Sequence, residues 1–347
     1  MPNSSDSATA RAAGLPETAE TPPMTAHKTP QILVIKLGAL GDFVQALGPM
    51  RAIRAAHPEA TLTLLTGAGP CAELGRDCGL FDRVLIDPRP GMAQPKQWLA
   101  LRRLLIEGGY QRIYDLQNSD RTSLYHKLFW TALRNPEWVG AAWGARIRNA
   151  DPARSQGTAL EGHIMTLGKA GITDIPRADR LEWLTGDASR WPGLKQPYIL
   201  LVPGSAPNRP RKRWPVKSYG DLARHLAGDA FQPVIIGGPD EQDRAAQITE
   251  ACPDALDLCG QTRLSDIAEL ARNASGAIGN DTGPMHIIGA TGCPTLCLMG
   301  LDKGASDPAK HGPAGPQVQC VTAPYIEAIG TGQVRAALSD LTRLSGQ

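Results

Sequence analysis

Residues 32–48 have the sequence ILVIKLGALGDFVQALG. The segment begins with a continuous aliphatic run, turns at two glycines, Gly38 and Gly41, and continues with helical periodicity. A strand that is apolar on both faces is typical of a parallel sheet covered by helices on both sides. The segment therefore predicts the first βα unit of an α/β protein, with a glycine turn where the backbone can closely approach a ligand.

The same alternation continues along the chain and predicts two doubly wound halves. In the first half, strands are predicted at 32–37, 61–65, 84–86 and 112–116, and helices near 43–56, 70–78, 96–107 and 119–133. In the second half, strands are predicted at 198–202, 233–236, 276–279 and 294–299, and helices near 217–227, 240–250, 264–273, from about 284, and near 331–344. The predicted organisation is a disordered tail at 1–29, a first domain at 30–170, a connection at 171–196, a second domain at 197–325 and a terminal helix at 326–347.

The composition excludes several classes of protein. Of the 347 residues, 42% are hydrophobic and 20% are charged, which predicts a packed core, and a formal charge of +2 predicts no nucleic-acid partner. Seven cysteines without a Cys-x-x-Cys pair predict reduced thiols and a cytoplasmic location. The apolar runs are strand-sized, and residues 1–29 lack the apolar region of a secretory signal.

Asp42 directly follows the first glycine turn, and its position allows two interpretations. In one, its carboxylate caps the helix that begins there. In the other, it lies at the mouth of a cleft and acts as a general base. Both interpretations stay open at this point.

Four cations follow the first strand of the second half. The segment Val202–Ser205 leads into a loop that contains Arg209, Arg211, Lys212 and Arg213. Ligands of doubly wound sheets bind outside the carboxyl ends of strands, where such cations would bind phosphates. The alternative is an ordinary solvated basic loop.

The next strand ends at Gly237 and Gly238, followed by Asp240 and Glu241. A carboxylate at this place is suited to accept hydrogen bonds from ribose hydroxyls. The alternative is that Asp240 only caps the following helix.

The segment GNDTGPMH, residues 279–286, is the strongest candidate site. Pro284 suits the first turn of a helix, so the N–H groups of Thr282 and Gly283 would face an anion such as pyrophosphate. The alternatives are that Asp281 or Thr282 is only an N-cap, and that His286 is a core histidine with its hydrogen bonds satisfied. The chain has no Asp-x-Asp pair, no P-loop and no Gly-x-Ser-x-Gly turn, so protein cations and a helix end would have to replace a metal.

From residue 30 to its C-terminus the chain resembles glycosyltransferase family 9, the ADP-heptose:lipopolysaccharide heptosyltransferases. The motifs that carry the resemblance are ILVIKLGALGDFVQALGPMRAIRAAHP, YDLQNSDRTSLYHKL, RKRWP, IIGGPDE and GNDTGPMHIIGATGCPTLCLMG. The resemblance implies two Rossmann-like domains that face each other across a cleft, the GT-B fold. It also implies inverting, metal-independent transfer of heptose from ADP-heptose, with no cofactor.

The resemblance also implies a role for each candidate residue. Asp42 would be the general base and Lys212 would bind the diphosphate and stabilise the departing ADP. The donor-binding residues would be Ser205, Lys212, Glu241, Asp281, Thr282, Gly283 and His286, with Glu241 at the ribose. Val202 stands where the family commonly has histidine, and Gly38-Ala39 where it has small hydroxyl residues, which leaves the exact sugar open.

The first half is assigned to the acceptor. Residues 96–148 contain nine Lys or Arg and four Asp or Glu, and this stretch also contains Trp98, Trp130, Trp138 and Trp143. A basic face with aromatic residues suits an anionic, lipid-linked saccharide, with the protein peripheral on the inner membrane. The alternative is an ordinary helix surface with core tryptophans. The acceptor-side candidates are Gly41, Gln117 and Arg121.

Three other functions are compatible with parts of this pattern. One is a GT-B transferase with a different nucleotide-sugar donor, and another is a non-catalytic protein that binds nucleotide sugars. A dinucleotide oxidoreductase is disfavoured because the Gly-x-Gly-x-x-Gly fingerprint is absent.

Overall fold

The computed structural model describes residues 29–130, 132, 135–206, 208–302 and 307–345. The predicted disordered tail lies outside these ranges except for Thr29.

The first half contains a six-stranded parallel sheet with the order β3-β2-β1-β4-β5-β6. Its strands are β1 (Gln31–Ile35), β2 (Thr61–Thr66), β3 (Arg83–Ile86), β4 (Arg112–Asp115), β5 (Glu137–Gly140) and β6 (Ile147–Arg148). The helices of this half are α1 (Leu40–Ala56), α2 (Pro70–Asp77), α3 (Pro95–Glu107), α4 (Asp120–Lys127) and α5 (Ala159–Lys169).

The second half repeats the same topology, with the sheet order β12-β11-β10-β7-β8-β9 and parallel pairing throughout. Its strands are β7 (Tyr198–Val202), β8 (Gln232–Ile235), β9 (Leu256–Asp257), β10 (Gly276–Asn280), β11 (Thr295–Gly300) and β12 (Val318–Ala323). Its helices are α6 (Val216–Gly228), α7 (Gln242–Ala251), α8 (Leu264–Asn273), α9 (Gly283–Ala290), α10 (Pro308–His311) and α11 (Thr331–Ser345). Short 3-10 turns occur at Pro152–Ser155, Ala188–Arg190, Pro210–Lys212, Pro239–Glu241 and Ile326–Ala328.

The prediction of an α/β protein with two doubly wound sheets is confirmed. In each sheet the strand order reverses beside the first strand, between β1 and β4 and between β7 and β10. Doubly wound sheets bind their ligands at this reversal, outside the carboxyl ends of the strands. The loops that follow β1, β7 and β10 therefore lie where a ligand is expected.

Several elements differ from the sequence prediction. The strands β5, β6, β9 and β12 and the helices α5 and α10 were not predicted. Helix α4 ends at Lys127 rather than 133, because the following hydrogen bonds tighten to i→i+3, as in those from Trp130 N–H to the Lys127 carbonyl and from Ala132 N–H to the Phe129 carbonyl. Helix α5 begins at a capping box in which Thr158 and Glu161 bond each other's backbone N–H.

A continuous apolar core joins the two halves. Helix α1 packs against α9, and apolar side chains of both helices belong to one buried cluster. The segment 171–196 adds Leu181, Leu184 and Trp191 to the same cluster. The domain boundaries themselves stay a prediction.

Among the described residues, no helix is both long enough and apolar enough to span a bilayer.

Gly48, in the middle of α1, provides a test of this packing. A Cβ at this position would lie 2.0 Å from the Pro176 carbonyl oxygen, whereas a Cβ at Gly168 in α5 would have no neighbour within 4 Å. We expect Gly48→Ala to lower the free energy of unfolding by about 1–3 kcal/mol through overpacking. Gly168→Ala, the matched control, should raise it by up to about 1 kcal/mol through helix propensity. Urea denaturation measures both, and equal effects would contradict the close approach of α1 to the connection.

Candidate active site

A cavity of about 390 Å³ lies between the two halves, at the loops after β1, β7 and β10. It brings together most of the predicted site residues, namely Gly41, Asp42, Ser205, Lys212, Asp281, Thr282, Gly283 and His286. The other lining residues are Ala39, Ala206, Arg209 and His311. A carboxylate from the first half thus faces a cluster of polar groups from the second.

Asp42 is the third residue of α1 and lines this cavity. The N-cap is Ala39, which makes no side-chain capping bond, so the interpretation of Asp42 as an N-cap is wrong. The Asp42 side chain is half-buried and makes no hydrogen bond or ion pair with the described residues. An acidic residue in the first turn of a helix interacts favourably with the helix dipole, which stabilises α1. The arrangement leaves the carboxylate available to accept a proton from a bound hydroxyl.

The turn between β1 and α1 depends on its two glycines. Gly38 has φ of 121°, a conformation that side chains rarely adopt. A Cβ at Gly41 would lie 2.5 Å from Nε2 of His286, so glycine is needed there for α1 to approach α9. The structure gives Gly41 this packing role, and its predicted contact with the acceptor stays a prediction.

Lys212 and Asp281 form an ion pair inside the cavity, with 2.5 Å between Nζ and Oδ2. The pair fixes an ammonium group at the edge of the cavity, next to the start of α9. The three arginines of the same basic loop have different surroundings. Arg209 lines the cavity, Arg213 donates a hydrogen bond to the Ser205 carbonyl, and Arg211 is exposed beside Asp302. The loop is therefore only partly a solvated surface.

The start of α9 provides backbone donors. Thr282 is the N-cap residue but makes no side-chain capping bond. The first N–H groups of a helix lack partners within it and attract anions, as predicted for Thr282 and Gly283. The interpretation of this segment as only a capping motif is not supported.

Asn280, which the sequence analysis did not single out, fixes the loops around the cavity. Its buried amide donates to the carbonyls of Pro203 (2.8 Å) and Gly204 (3.1 Å) and accepts from the N–H of Trp214 (3.0 Å) and the hydroxyl of Tyr219 (3.1 Å). One side chain thus connects the loop after β7, the basic loop and the end of β10. An asparagine at the end of a buried strand is the signal that identifies it.

His286 is buried in α9, and burial lowers the pKa of its imidazole, against the opposing influence of Asp281 and Asp42. The ring is therefore neutral near pH 7. Its Nδ1 has no hydrogen-bond partner among the described residues, so the interpretation as a satisfied core histidine is wrong. Ser205 is similar, because its buried Oγ also lacks a partner there.

Three predicted residues lie outside this cavity's lining. Glu241 accepts a hydrogen bond from Gly238 N–H (2.9 Å) and contacts Gly204. The Gln117 side-chain oxygen accepts from Leu37 N–H (2.9 Å). Arg121 donates to the Pro90 carbonyl (3.2 Å). Their ligand contacts stay predictions.

The sequence left open whether the tryptophans of the first half form an exposed face for the acceptor or belong to the core, and the structure shows both. Trp138 is buried and Trp98 half-buried, whereas Trp130 and Trp143 are 55% and 70% exposed and contact each other with ring centroids 6.4 Å apart.

In the part of the chain that the structure describes, no group of three His, Cys, Asp or Glu side chains is arranged to hold a metal ion.

Two Rossmann-like halves with a cavity between them have the architecture of the GT-B fold. The sequence model described as "Glycosyltransferase family 9 (heptosyltransferase)" matches residues 98–333, and the chain belongs to this family. The lipopolysaccharide heptosyltransferase 2 of Salmonella typhimurium is 24% identical over 295 residues, which cover 78% of this chain and 82% of that protein.

Solved structures of the family have the same fold. The E. coli ADP-heptose lps heptosyltransferase II has a TM-score of 0.71 at 21% identity, with 91% of this chain and 100% of that chain covered. The E. coli heptosyltransferase WaaC, solved with ADP, has a TM-score of 0.68 at 19% identity, with 89% and 99% covered.

The contact between Gly41 and His286 generates a testable prediction. Gly41→Ala should lower the free energy of unfolding by about 1–3 kcal/mol, because the new methyl group meets the imidazole. In the Gly41→Ala/His286→Ala double variant the ring is gone, and we expect the two effects to depart from additivity by at least about 0.5 kcal/mol. Denaturation of the two single variants and the double variant measures this coupling. Additive effects would show that the two residues do not touch.

Proposed function

We propose that the protein transfers heptose from ADP-heptose to an acceptor in the lipopolysaccharide core, by an inverting and metal-independent reaction. The observation that carries this proposal is the single cavity shared by Asp42 and the Lys212, Thr282, Gly283 and His286 set. The names of the family relatives, which are heptosyltransferases, support the choice of sugar and acceptor.

In the proposed reaction, the acceptor hydroxyl attacks the anomeric carbon from the side opposite to the diphosphate. Asp42 accepts the hydroxyl proton as the new carbon–oxygen bond forms. The bond from the anomeric carbon to the ADP oxygen breaks, and ADP leaves with the electron pair. Attack opposite to the leaving group inverts the configuration at that carbon.

The charge of the departing ADP is the main electrostatic demand of this reaction. Lys212 and Arg209 line the cavity, and the N-terminus of α9 adds backbone N–H groups. Fixed donors and cations of this kind stabilise charge that develops in a transition state. These groups support a role for the protein itself in place of a divalent metal. Asp281 keeps Lys212 in position, while Ser205 and His286 supply further polar groups at the donor.

We also propose that the acceptor is an anionic, lipid-linked saccharide on the inner leaflet, with the protein acting from the cytoplasmic side. The exposed pair of Trp130 and Trp143 supports this proposal, together with Lys127, whose Nζ lies 5.9 Å from the centroid of the Trp130 ring. Exposed tryptophans beside cations suit the interface of an anionic bilayer.

Asp42→Asn tests the assignment of the base. Because an amide cannot accept the proton, kcat should fall by about 10²–10⁴-fold while the affinity for the donor stays nearly unchanged. The measurement is acceptor-dependent release of ADP from ADP-heptose in the presence of a lipopolysaccharide-core saccharide. The control is Asp77→Asn, which removes an exposed carboxylate at the end of α2. Normal turnover by the Asp42 variant would remove this residue from the mechanism.

Lys212→Met tests whether a protein cation binds the diphosphate of the donor. The variant should bind ADP more weakly and turn over about 10²-fold more slowly, because one charge-stabilising donor is lost. Wild-type activity should persist in EDTA. The neighbouring Arg211→Met is the matched control, since the Arg211 side chain is 82% exposed and lies outside the cavity lining. Loss of activity in EDTA that a divalent ion restores would refute metal independence.

A further inference from the structure

A cavity of about 280 Å³, here called the interface cavity, lies along α1 and is lined by residues of both halves. The first half contributes residues of α1, the start of α5 and the connection, and the second half contributes residues of α9 and of the segment 308–314. His286 lines both this cavity and the cavity of the candidate active site. The other candidate site residues lie outside the lining of the interface cavity.

The interface cavity follows one face of α1, on which Gly41, Gln45 and Gly48 lie about one turn apart. At Gly41 a Cβ would lie 2.5 Å from His286 Nε2. At Gly48 a Cβ would lie 2.0 Å from the Pro176 carbonyl oxygen. The helix thus has a close neighbour near each end of this face. The space beside it is bordered by small or rigid residues, namely Ala178, Ala290, Pro308, Ala309, Pro313 and Ala314.

Gln45 provides an acceptor without a partner. Its Nε2 donates a long hydrogen bond to the Gly312 carbonyl (3.5 Å), which identifies the NH₂ end of the amide because a carbonyl can only accept. The buried Oε1 makes no hydrogen bond with the described residues. A buried polar atom without a partner destabilises a fold by about 1–3 kcal/mol. A donor in the interface cavity would remove this penalty.

The charged residues of the lining are paired or exposed. Asp179 forms an ion pair with Arg51 (2.6 Å), and Glu161 accepts a hydrogen bond from Thr158 N–H (2.7 Å) in the cap of α5. Arg177 is exposed to solvent. The rest of the lining is mainly alanine, proline, glycine, valine and leucine. A charged ligand would therefore lack a buried counter-charge among the described residues, whereas an apolar body suits the lining.

The size and lining of the cavity define the class of ligand. An engineered apolar cavity of about 150 Å³ in another protein holds benzene, so about 280 Å³ has room for a molecule of two fused rings. Ligand sites commonly occur between domains and combine an apolar lining with a few polar groups. We propose that the interface cavity binds a small, uncharged, predominantly apolar molecule with one N–H or O–H group, which donates to Gln45 Oε1. This site goes beyond the proposed function and does not rest on it.

Indole and 1-methylindole are suitable probes, because they differ only in the replacement of one N–H by N–CH₃. Calorimetric titration of the full-length protein should show saturable binding of one indole per chain. 1-Methylindole should bind at least about fivefold more weakly, since it leaves Gln45 Oε1 buried without a partner. Equal affinities for the two probes, or no saturable binding of either, would overturn the proposal.

Gln45→Met removes the acceptor at nearly constant side-chain size, so the variant should bind the two probes almost equally. Gln97→Met, at an exposed position on α3, is the matched control and should keep the preference for indole. A preference for indole that persists in the Gln45 variant would mean that another group recognises the N–H, and the assignment would be wrong.

Ala178→Leu tests the location of the site. Ala178 is exposed at the edge of the interface cavity, and a larger side chain there should weaken indole binding by about tenfold or more. Ala153→Leu, at an exposed position outside the lining, should bind indole like wild type. An unchanged melting temperature of both variants shows that the fold is retained. Wild-type affinity in the Ala178 variant would exclude the interface cavity as the site.

Saturating ADP separates this site from the candidate active site. The affinity for indole should not fall when ADP is bound, whereas displacement by ADP would place the probe in the active-site cavity and refute the proposal. If the protein does not bind ADP at all, the proposed function fails, while the comparison of the two probes in wild type and the Gln45 variant still decides whether the interface cavity is a ligand site.

Discussion

The contact between the first turns of α1 and α9 is the constraint on which the active site depends. At Gly41 the imidazole of His286 occupies the space of a side chain, and at Gly283 the side chain of Leu40 does the same, 2.8 Å from where a Cβ would lie. Two glycines therefore allow two helix N-termini from different halves to meet. Asp42 is the next residue after Gly41, so its carboxylate is held at the cavity that Thr282 and Gly283 also line. Larger residues at either glycine would separate the groups that the proposed reaction needs together.

The charges around this contact are balanced before any substrate is present. Lys212 is paired with Asp281, and the neutral state of His286 keeps another positive charge away from Asp42. An arriving diphosphate would compete with Asp281 for Lys212 and would gain the free N–H groups of α9 as well. A carboxylate held in place beside the ammonium group keeps that group from folding away, so little rearrangement is required when the donor binds.

The parts of the fold that could be predicted from sequence are those determined by local patterns. The unit from β1 to α1 and the turn from β10 to α9 were predicted nearly to their ends, because an aliphatic run, glycines and Pro284 are local signals. Strands β6 and β9 have two residues each and exist only through pairing with distant neighbours. Asn280 was missed for the same reason, since its hydrogen bonds reach residues 61 to 77 positions earlier in the chain. Helix α5 is different, because its capping box of Thr158 and Glu161 was present in the sequence and was overlooked.

Two buried polar atoms of residues that line the donor cavity, the Ser205 Oγ and the His286 Nδ1, have no partner among the described residues. Each such group weakens the folded state of the free protein by about 1–3 kcal/mol, so a chain selected only for stability would replace them with apolar residues. A substrate that supplies the missing partners binds more tightly by the same amount. A transferase must hold two substrates beside one base. Asp42 also lines a second cavity, together with Gln117 and Arg154, and this arrangement fits a reaction between two bound sugars better than simple binding of a nucleotide.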